Sequence, residues 1–357
     1  MPTLKDIAQA CGVSTATVSH VIHGRTDRVG AKMRERVKAA LVEMRYHRNS
    51  APPVLPQHPT LAVLTELHRR PTISCNTYQL RLLDGIIHTC RTHGYGVAIH
   101  FTHEESVTDE WMDLLSSQCA GFILISPDNG SELPARLADR PTPMAVIGTT
   151  LELPGANTVD VDNVSFGTLA FRYLFALGHR RIAFAGKNER HTSSWERARG
   201  YLKAVSDLLP EGGYHQLLAG GYLESDGQQM AQELLASPEP LPTAIIAAND
   251  MVAIGLINTF AGVGLRVPED ISVISIDDGP TAIRCNPPLT TFRQPLEAIG
   301  NRAAQILIDK ANDPSRPDET VRYSLELIER ASTAPALISY ETTPPCQSRA
   351  VLSNGGS

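Results

Sequence analysis

The first fifty residues carry apolar side chains at helical spacing. The inner face of the first predicted helix consists of Leu4, Ile7, Ala8 and Cys11. This helix runs through Ala10 and ends near Gly12. Ser14 is a suitable N-cap for a second helix, which ends at Gly24. The apolar face of that helix consists of Val18, Val21 and Ile22, and a third helix would bury Met33, Val37, Ala40, Leu41 and Met44.

Two short helices joined by a turn that contains glycine are typical of a helix-turn-helix, whose second helix fits the major groove of DNA. The second predicted helix leaves six side chains for solvent or a ligand: Thr15, Ala16, Thr17, Ser19, His20 and His23. The third helix adds Arg34, Arg36 and Lys38, which suit phosphate contacts or are simply solvated charge. The pattern predicts a small all-helical domain that binds DNA through its second helix.

Beyond residue 60, short apolar runs alternate with helical patterns. Seven runs have the length and composition of strands: Leu61–Thr65, Val97–Phe101, Phe122–Ser126, Met144–Gly148, Arg181–Gly186, Ala244–Ala248 and Ile271–Asp277. Such alternation predicts an α/β domain with parallel sheets that are covered by helices on both faces. A long break at Asp160–Asn163 suggests two similar lobes. A ligand is expected in the cleft between them, at the carboxyl ends of the strands.

Proline marks the boundary between these two regions. Residues 50–60 contain four prolines, which predicts an extended connector between a helical domain at 1–49 and an α/β domain at 61–340. Residues 341–357 have no periodic apolar pattern, and we expect this tail to be disordered.

Charge distinguishes the two regions further. Residues 1–50 hold nine Lys and Arg against four Asp and Glu, a balance of +5, whereas the whole chain carries −6 at neutral pH. Subtracting +5 from −6 leaves −11 for the remainder, so only the first region suits a polyanion. A solvated basic face without a partner would show the same balance.

Composition narrows the class of protein. The chain has 357 residues, 42% of them hydrophobic and 20% charged, which predicts a globular protein with more than one core. No apolar run approaches the length of a membrane span, the N-terminus has no signal pattern, and the six cysteines have no paired spacing. These features predict a cytoplasmic protein without a membrane partner.

The residues of the helical region also match a known pattern. They read Thr3-Leu-Lys-Asp-Ile-Ala-Gln-Ala-Cys-Gly-Val-Ser-Thr-Ala-Thr-Val-Ser19, then Arg36-Val37 and Arg45-Tyr46-His-Arg-Asn49. This resembles the DNA-binding headpiece of the lactose/galactose repressor family. The resemblance implies that Thr15, Ala16 and His20 read bases, while Thr17 and Ser19 lie nearer the phosphates. His20 stands where many members have Arg, and an imidazole offers a base edge at most one well-directed donor or acceptor.

The connector has a counterpart in the family, a hinge helix that pushes a leucine into the minor groove. Leu55 stands at the matching position, which makes it a candidate DNA contact. Pro52, Pro53 and Pro56 disfavour a helix there, so the segment is either a DNA-contacting wedge or only a spacer.

The resemblance covers residues 3–335. Its landmarks in the α/β region are Asp162-Asn163, Leu177–Ile182, Arg197–Tyr201, Ala248–Gly255, Ile276–Asp278, Pro287–Thr291 and Glu329–Thr333. It implies a domain that looks like a periplasmic sugar-binding protein, with two lobes joined by three crossovers. It also implies effector contacts at Arg197, Asn249, Asp277 and Gln294.

Carboxylate, amide and guanidinium groups together suit a polyhydroxylated ligand, because they satisfy adjacent hydroxyls that both donate and accept. Trp195 is a further candidate that would stack on a sugar ring, as is Tyr78. Asn76, Ser126 and Asp128 are candidates in loops or helix starts that follow strands of the first lobe.

Simpler interpretations compete with these assignments. Asp250 could cap the helix that begins there, and Asp277 with Asp278 could form a turn. Arg197 could be a surface residue, and the aromatic side chains could serve only in packing.

The sequence contains no Gly-x-Ser-x-Gly, phosphate-binding or dinucleotide-binding motif. His100 and His103 with Glu104 read as loop residues rather than as metal ligands. We therefore predict no enzyme activity, no cofactor and no metal.

The leading hypothesis is a homodimeric transcriptional repressor, with a tetramer as the larger alternative, that binds a palindromic DNA operator and responds to a small molecule. One headpiece buries too little surface for operator-strength binding, whereas a two-fold dimer adds two half-sites. A carbohydrate effector and genes of carbohydrate uptake or catabolism are the first choice, and a purine-type ligand is the alternative. A transporter's solute-binding protein and a sugar-converting enzyme with a DNA-binding domain are the other classes considered. The headpiece argues against the first of these and the missing catalytic residues against the second.

Overall fold

A computed structural model describes residues 4–22, 29–43, 58–66, 77–102, 107–149, 155–211 and 213–336. The chain divides into two units, Met1–Gln57 and His58–Ser357. The helices in the described residues are α1 (Leu4–Ala10), α2 (Thr15–Ile22), α3 (Ala31–Glu43), α4 (Thr77–Thr92), α5 (Asp109–Gln118), α6 (Leu133–Ala138), α7 (Asn163–Ala176), α8 (Thr192–Leu208), α9 (Glu224–Ala236), α10 (Asp250–Gly262), α11 (Pro280–Arg284) and α12 (Leu296–Asn312). The strands are β1 (Thr60–Glu66), β2 (Gly96–Thr102), β3 (Gly121–Ile125), β4 (Met144–Ile147), β5 (Ala156–Val161), β6 (Ile182–Lys187), β7 (His215–Ala219), β8 (Ala244–Ala247), β9 (Ser272–Asp277), β10 (Thr290–Arg293), β11 (Thr320–Tyr323) and β12 (Glu326–Ile328).

The first unit packs α1, α2 and α3 around a small apolar core. Its buried members are Ile7, Ala8, Cys11, Val18 and Val37. Gly12 has a φ of +57°, a left-handed conformation that lets the chain turn between α1 and α2. The Ser14 hydroxyl accepts a hydrogen bond from the backbone amide of Thr17 at 3.1 Å and so caps α2. The predicted helix-turn-helix is confirmed, while its predicted end at Gly24 lies outside the described residues.

The second unit contains two six-stranded sheets, one in each lobe. The first sheet has the order β11-β5-β4-β3-β1-β2, and its strand pairs are all parallel. The second has the order β12-β10-β9-β8-β6-β7. Its pairs are parallel except that β12 runs antiparallel to β10 at the edge. The predicted two-lobed α/β fold is therefore correct.

Three segments cross between the lobes. The chain passes from β5 in the first sheet to α7, which packs on α8 of the second lobe, and returns from β10 to α12, which packs on α4. The third crossover joins β11 to β12. The Asp162 side chain caps α7, the helix of the first crossover, by accepting a hydrogen bond from the Ser165 backbone amide at 2.8 Å. Three crossovers are what the family resemblance implied.

The seven predicted strands all occur, but the structure adds β5, β7, β10, β11 and β12. These additional strands carry polar residues within the run, as in Ala156-Asn-Thr-Val-Asp-Val161, or lie toward the sheet edges. The break expected at Asp160–Asn163 begins later than predicted, because Asp160 is inside β5. None of the helices in the described ranges is long and apolar enough to cross a membrane.

Helices α7 and α8 approach each other through glycine. A methyl group on Gly200 would collide with the backbone carbonyl oxygen of Val164, and one on Gly167 with that of Arg197. The glycines thus bring α8, and Arg197 with it, against the start of α7.

We expect Gly200→Ala to lower the free energy of unfolding of the second unit by about 1–3 kcal/mol, since backbone would have to shift to admit the methyl group. Gly262→Ala is the matched control, because a methyl group there meets no atom within 4 Å. The control should be neutral or stabilising, as alanine is the better helix former. Urea unfolding of the full chain, followed by circular dichroism, measures both variants, and equal losses would contradict the close approach.

Candidate functional site

The outer face of α2 holds the five residues expected to meet DNA. Thr15 and Ala16 are exposed, whereas Thr17, Ser19 and His20 are half-buried. The Thr17 hydroxyl lies 2.9 Å from the Ser14 hydroxyl, so it takes part in the helix cap. Thr15 and Ala16 are thus the residues most open to a partner, with His20 one turn further along the helix. Leu55 lies outside the described residues.

The cleft of the second unit lies between the loops that follow the strands of the two sheets. The first lobe contributes Tyr78 at the start of α4 and Ser126 directly after β3. The second lobe contributes Arg197 on α8 and Asp277 at the end of β9. Burial raises the pKa of the Tyr78 hydroxyl, and the charges of Arg197 and Asp277 also affect it, so the three side chains lie near one another. The strand ends are therefore where the predicted effector residues meet.

Arg197 is buried and not a surface residue, with 4% of its area exposed. Its Nε donates to Asn163 Oδ1 at 2.8 Å, and its guanidinium also donates to the Ala248 carbonyl. The Asn163 amide in turn donates to Asp160 Oδ2 at 2.9 Å. One hydrogen-bonded chain thus links α8, the end of β8, the first crossover and β5.

Asp160 is a site residue that the sequence analysis missed. It is 1% exposed, and burial raises the pKa of its carboxyl to about 6, against the opposing effects of the Val161 amide and the Arg197 charge. The alternation of polar and apolar residues in β5, where this acid stands between Val159 and Val161, is the sequence pattern that could have predicted the strand and its aspartate.

Asp277 combines burial with an unusual backbone. Its φ of 137° is one that side-chain-bearing residues rarely adopt, which is a feature of functional sites. Burial, and next the charge of Asp250, raise the pKa of Asp277 to about 7. Its Oδ1 accepts from Gln294 Nε2 at 2.7 Å. Gln294 therefore lies beside Asp277, as the predicted set requires.

The neighbouring Asp278 has the opposite environment. Its carboxylate accepts hydrogen bonds from Arg293, at 2.7 Å, and from Arg330. Burial acts to raise the pKa of the Asp278 carboxyl, but the two guanidinium groups outweigh this effect and lower the pKa. Asp277 and Asp278 are thus adjacent in sequence, yet only Asp278 has cationic partners.

Asn249 takes the capping role that the simpler interpretation gave to Asp250. The Asn249 side chain accepts from the Val252 amide at 2.9 Å and donates to the Tyr222 carbonyl at 3.0 Å. Asp250 instead accepts from Ser275, Thr291 and the Gly279 amide, at 2.5, 2.8 and 2.9 Å. Burial raises the pKa of Asp250 to about 6 although these three donors oppose the rise, and the pKa of Asp277 lies higher still, at about 7. The suggestion that Asp250 caps α10 is wrong.

Tyr78 and Tyr222, which was not predicted, interact with these polar groups. Tyr78 is hydrogen-bonded to Ser126, and burial followed by the charge of Asp160 raises its pKa. Tyr222 lies within hydrogen-bonding distance of Ser193, 2.9 Å between hydroxyls, and burial raises its pKa. The half-buried Trp195 ring instead faces the Lys187 ammonium at 5.1 Å.

Ser126 and Asn76 are the remaining candidates in the first lobe. Ser126 has a φ of 47° and donates its backbone amide to Ile147 at 2.7 Å, so the turn after β3 presents its hydroxyl toward Tyr78. Asn76 lies outside the described residues. Tyr222 was missed together with β7, the strand before it, which has only five residues and begins with the polar His215 and Gln216.

The outer rim of the cleft joins the two lobes. Oδ1 of Asp128 in the first lobe lies 3.3 Å from Nδ1 of His191 in the second lobe. The His191 ring stacks on the Tyr222 ring, with the ring centroids 5.1 Å apart. The Asn129 side chain donates to the Glu189 carbonyl at 3.1 Å. These contacts hold the loop after β3 against the loop after β6.

Comparison with known proteins places this architecture in a family. Residues 3–49 match the model of bacterial regulatory proteins of the lacI family, and residues 171–333 match a periplasmic binding protein-like domain. The chain is 31% identical over 338 residues to the HTH-type transcriptional repressor PurR of Vibrio vulnificus, covering 92% of this chain and 98% of that one. The chain belongs to the lacI family of bacterial regulatory proteins. A PurR repressor of Vibrio atlanticus is similar at 30% identity over 336 residues, 93% of this chain and 98% of the relative.

Solved structures of lacI-family regulators agree with this membership. A complex of the transcriptional regulator CelR with cellobiose has a TM-score of 0.69 at 26% identity, over 93% of this chain and all of that one. A lacI-family regulator of Enterococcus faecium with bound ribose has 0.68 at 26% identity, over 78% and 100% of the two chains. The lac repressor dimer bound to operator and the anti-inducer ONPF has 0.68 at 25% identity, over 93% and 99%. The chain is thus a DNA-binding transcriptional repressor with a periplasmic-binding-protein-like domain.

Proposed function

We propose that this lacI-family repressor is a homodimer that binds a palindromic DNA operator through residues 1–49 and is controlled by an effector in the cleft of residues 61–340. The observation that carries the DNA-binding part is the capped α2, which exposes Thr15 and Ala16 in a headpiece of the lacI type. Base reading by Thr15, Ala16 and His20 and phosphate contact near Thr17 and Ser19 belong to this proposal. A minor-groove contact by Leu55, a tetramer and a cytoplasmic location stay predictions.

We expect deletion of residues 1–49 to abolish selective operator binding, and His20→Arg to change which base is preferred at one position of each half-site. A guanidinium adds a second donor at the groove floor, which an imidazole lacks. Binding-site selection from a random DNA pool measures the change. Lys38→Ala, on the exposed face of α3, is the control and should weaken binding to all sequences alike. Identical consensus sites for His20→Arg and wild type would place His20 away from the base edges.

An apolar face of the first lobe is the surface we propose for dimerisation. The exposed residues Leu80 and Ile87 lie on α4, and Ile99 and Phe101 lie on β2, the edge strand of the sheet. Leu83, Ile99 and Phe101 line one depression between the helix and the strand. The occupant that fits this face is a second copy of the chain, since a palindromic operator needs a two-fold dimer.

We expect Ile87→Glu to raise the dissociation constant of the dimer about tenfold or more, because a carboxylate buried between two copies loses its hydration. Leu114→Glu is the control, since Leu114 is also an exposed aliphatic residue but lies on α5, outside this face. Sedimentation equilibrium of both variants measures the dissociation constant. A dimer that is unaffected by Ile87→Glu would exclude this face from the interface.

The effector that we propose is a carbohydrate or sugar derivative, and the regulated genes are those of carbohydrate uptake or catabolism. Asp277, Arg197, Ser126 and Gln294 supply the mixture of acceptors and donors that ring hydroxyls require. The cellobiose and ribose complexes of similar regulators support this choice. A purine-type ligand is the second candidate, favoured by the two tyrosine rings and the His191 stack.

Control by the effector requires that it fit the cleft better in one arrangement of the lobes than in the other. Such a ligand shifts the orientation of the first lobes, and hence of the headpieces, in the dimer. The coupling free energy is then limited by its differential affinity for the two arrangements.

We expect Asp277→Asn to weaken effector binding by about 1.5–3 kcal/mol, as charged hydrogen bonds do when lost, while DNA affinity without effector stays unchanged. Asp278→Asn is the control and should retain effector affinity, because Arg293 and Arg330 already occupy its carboxylate. A thermal-shift screen of sugars, sugar phosphates and nucleobases finds the ligand, and fluorescence anisotropy with labelled operator measures the response. A ligand response of Asp277→Asn equal to wild type would remove Asp277 from the site.

A further inference from the structure

The loop after β3 is fastened to the loop after β6 at the rim of the cleft. The Asn129 backbone amide donates to the Arg190 carbonyl, and the Asn129 side-chain amide donates to the Glu189 carbonyl at 3.1 Å. Beside these bonds, Oδ1 of Asp128 lies 3.3 Å from Nδ1 of His191. We call these five residues the rim clasp. Asn129 makes two of the three contacts, so the second lobe holds both its backbone and its side chain.

Asn129 is followed by a glycine, and the two residues stand in a turn at the surface. Both are exposed, and Gly130 has a φ of 97°. A methyl group on Gly130 would meet no atom within 4 Å, so the backbone around its nitrogen is open to approach. The amides of Asn129 and Ser131 donate to the carbonyls of Arg190 and Asp128, whereas that of Gly130 donates to none of the described residues. The Gly130 nitrogen is therefore available as a nucleophile.

The Asn129–Gly130 pair has the chemistry for spontaneous loss of the side-chain amide. Asparagine is a thermolabile residue type, and a following glycine has no β-carbon to crowd the next backbone nitrogen. In the reaction, the Gly130 nitrogen loses its proton to solvent and attacks the Asn129 side-chain carbonyl carbon. The bond from that carbon to Nδ2 breaks, ammonia leaves with a proton from solvent, and a five-membered succinimide remains. Water then adds to either ring carbonyl and opens the ring to aspartate or isoaspartate, so the sum consumes water, releases ammonia and needs no oxidant.

We propose that Asn129 is a modification site at which the chain deamidates spontaneously, that the rim clasp controls the rate, and that the product weakens the clasp. For the ring to close, the side-chain carbonyl carbon of Asn129 must move onto the Gly130 nitrogen, and the hydrogen bond to Glu189 opposes this movement. The reaction therefore proceeds from molecules in which the loops have parted at the rim. Its rate follows the population of that open form, whichever effector the protein binds.

The product weakens the clasp because it exchanges a donor for an acceptor. An ionised carboxylate has no proton to donate, so the Glu189 carbonyl loses its donor and faces a second acceptor. Isoaspartate also adds a carbon to the main chain, which displaces the amide that Arg190 accepts. Loss of ammonia into dilute solution is irreversible. Deamidation thus leaves the two lobes less firmly joined at the rim for the remaining life of the molecule.

The first experiment follows deamidation of the full chain kept in mildly alkaline buffer. Pepsin digestion at low pH stops the reaction, and chromatography with mass spectrometry separates peptides that carry asparagine, aspartate or isoaspartate at position 129. A synthetic peptide of residues 126–133 gives the rate without a clasp. We expect both products in the full chain, formed more slowly than in the peptide. If Asn129 stays intact in the chain after the peptide has fully reacted, the modification site is overturned.

A clasp variant tests the control of the rate. His191→Ala removes the partner of Asp128 and leaves the Asn-Gly pair itself unchanged, and we expect it to speed deamidation about two- to fivefold. His215→Ala is the matched control, because His215 is exposed at the start of β7, away from the carboxyl ends of the strands. Asn354, in the other Asn-Gly pair of the sequence, is an internal reference in every digest. Equal rates at Asn129 in His191→Ala and wild type, or an equal acceleration at Asn354, would exclude control by the clasp.

The second experiment compares the product with a matched change on the facing loop. Asn129→Asp carries the carboxylate of the product. Asn188→Asp adds the same charge but keeps its contact, since the Asn188 side-chain oxygen accepts from the Arg190 amide at 2.9 Å. Hydrogen exchange of the backbone amide at position 129, corrected for its intrinsic rate, reports opening of the clasp. We expect Asn129→Asp to lose about fivefold in protection and Asn188→Asp to match wild type. Full protection in Asn129→Asp would mean that the product leaves the clasp closed, which overturns the proposed effect.

Discussion

The hydrogen bonds of the Arg197 guanidinium hold together the segments from which the effector cleft is built. They join α8 to the Asn163 side chain at the first crossover and to the carbonyl that ends the β8 region, and Asn163 passes the link on to Asp160. This arrangement depends on the close approach of α7 and α8, which Gly167 and Gly200 permit. A packing requirement between two helices thus fixes the position of the one buried cation that faces the acids of the described cleft.

Arg197 is buried, and the same burial disfavours the ionised form of the acids around it. Removing carboxylates from water disfavours their ionised form, which is why the pKa values of Asp160 and Asp277 rise while that of the paired Asp278 falls. The left-handed backbone of Asp277 adds local strain. Native proteins retain such features at sites where a ligand relieves them, so the cleft is less stable empty than it would be with apolar or paired residues.

The sequence was sufficient to predict the helix-turn-helix, the two-lobed α/β fold and seven strands, because each depends on an apolar period or on dense family landmarks. It was insufficient for β5 and β7, whose polar residues are tolerated through neighbouring strands and tertiary hydrogen bonds. Asp160 and Tyr222 were missed with those strands. The sequence also could not show that Asn249 rather than Asp250 caps α10, since asparagine and aspartate cap helices equally well. The hydrogen bonds that Ser275 and Thr291 donate to Asp250 decide between the two.

Contacts across the cleft join the two lobes at its rim and near the crossovers. On the rim, Asp128 meets His191, and nearer the crossovers Arg81 donates to the Asp278 carbonyl at 3.4 Å. Asp277, one residue earlier, is held by Gln294, which lies directly before the second crossover to α12. A ligand that contacts Asp277 would therefore act on a residue that is hydrogen-bonded next to the second crossover. A ligand that fits one arrangement of the lobes better than another would shift their equilibrium by no more than this difference in affinity.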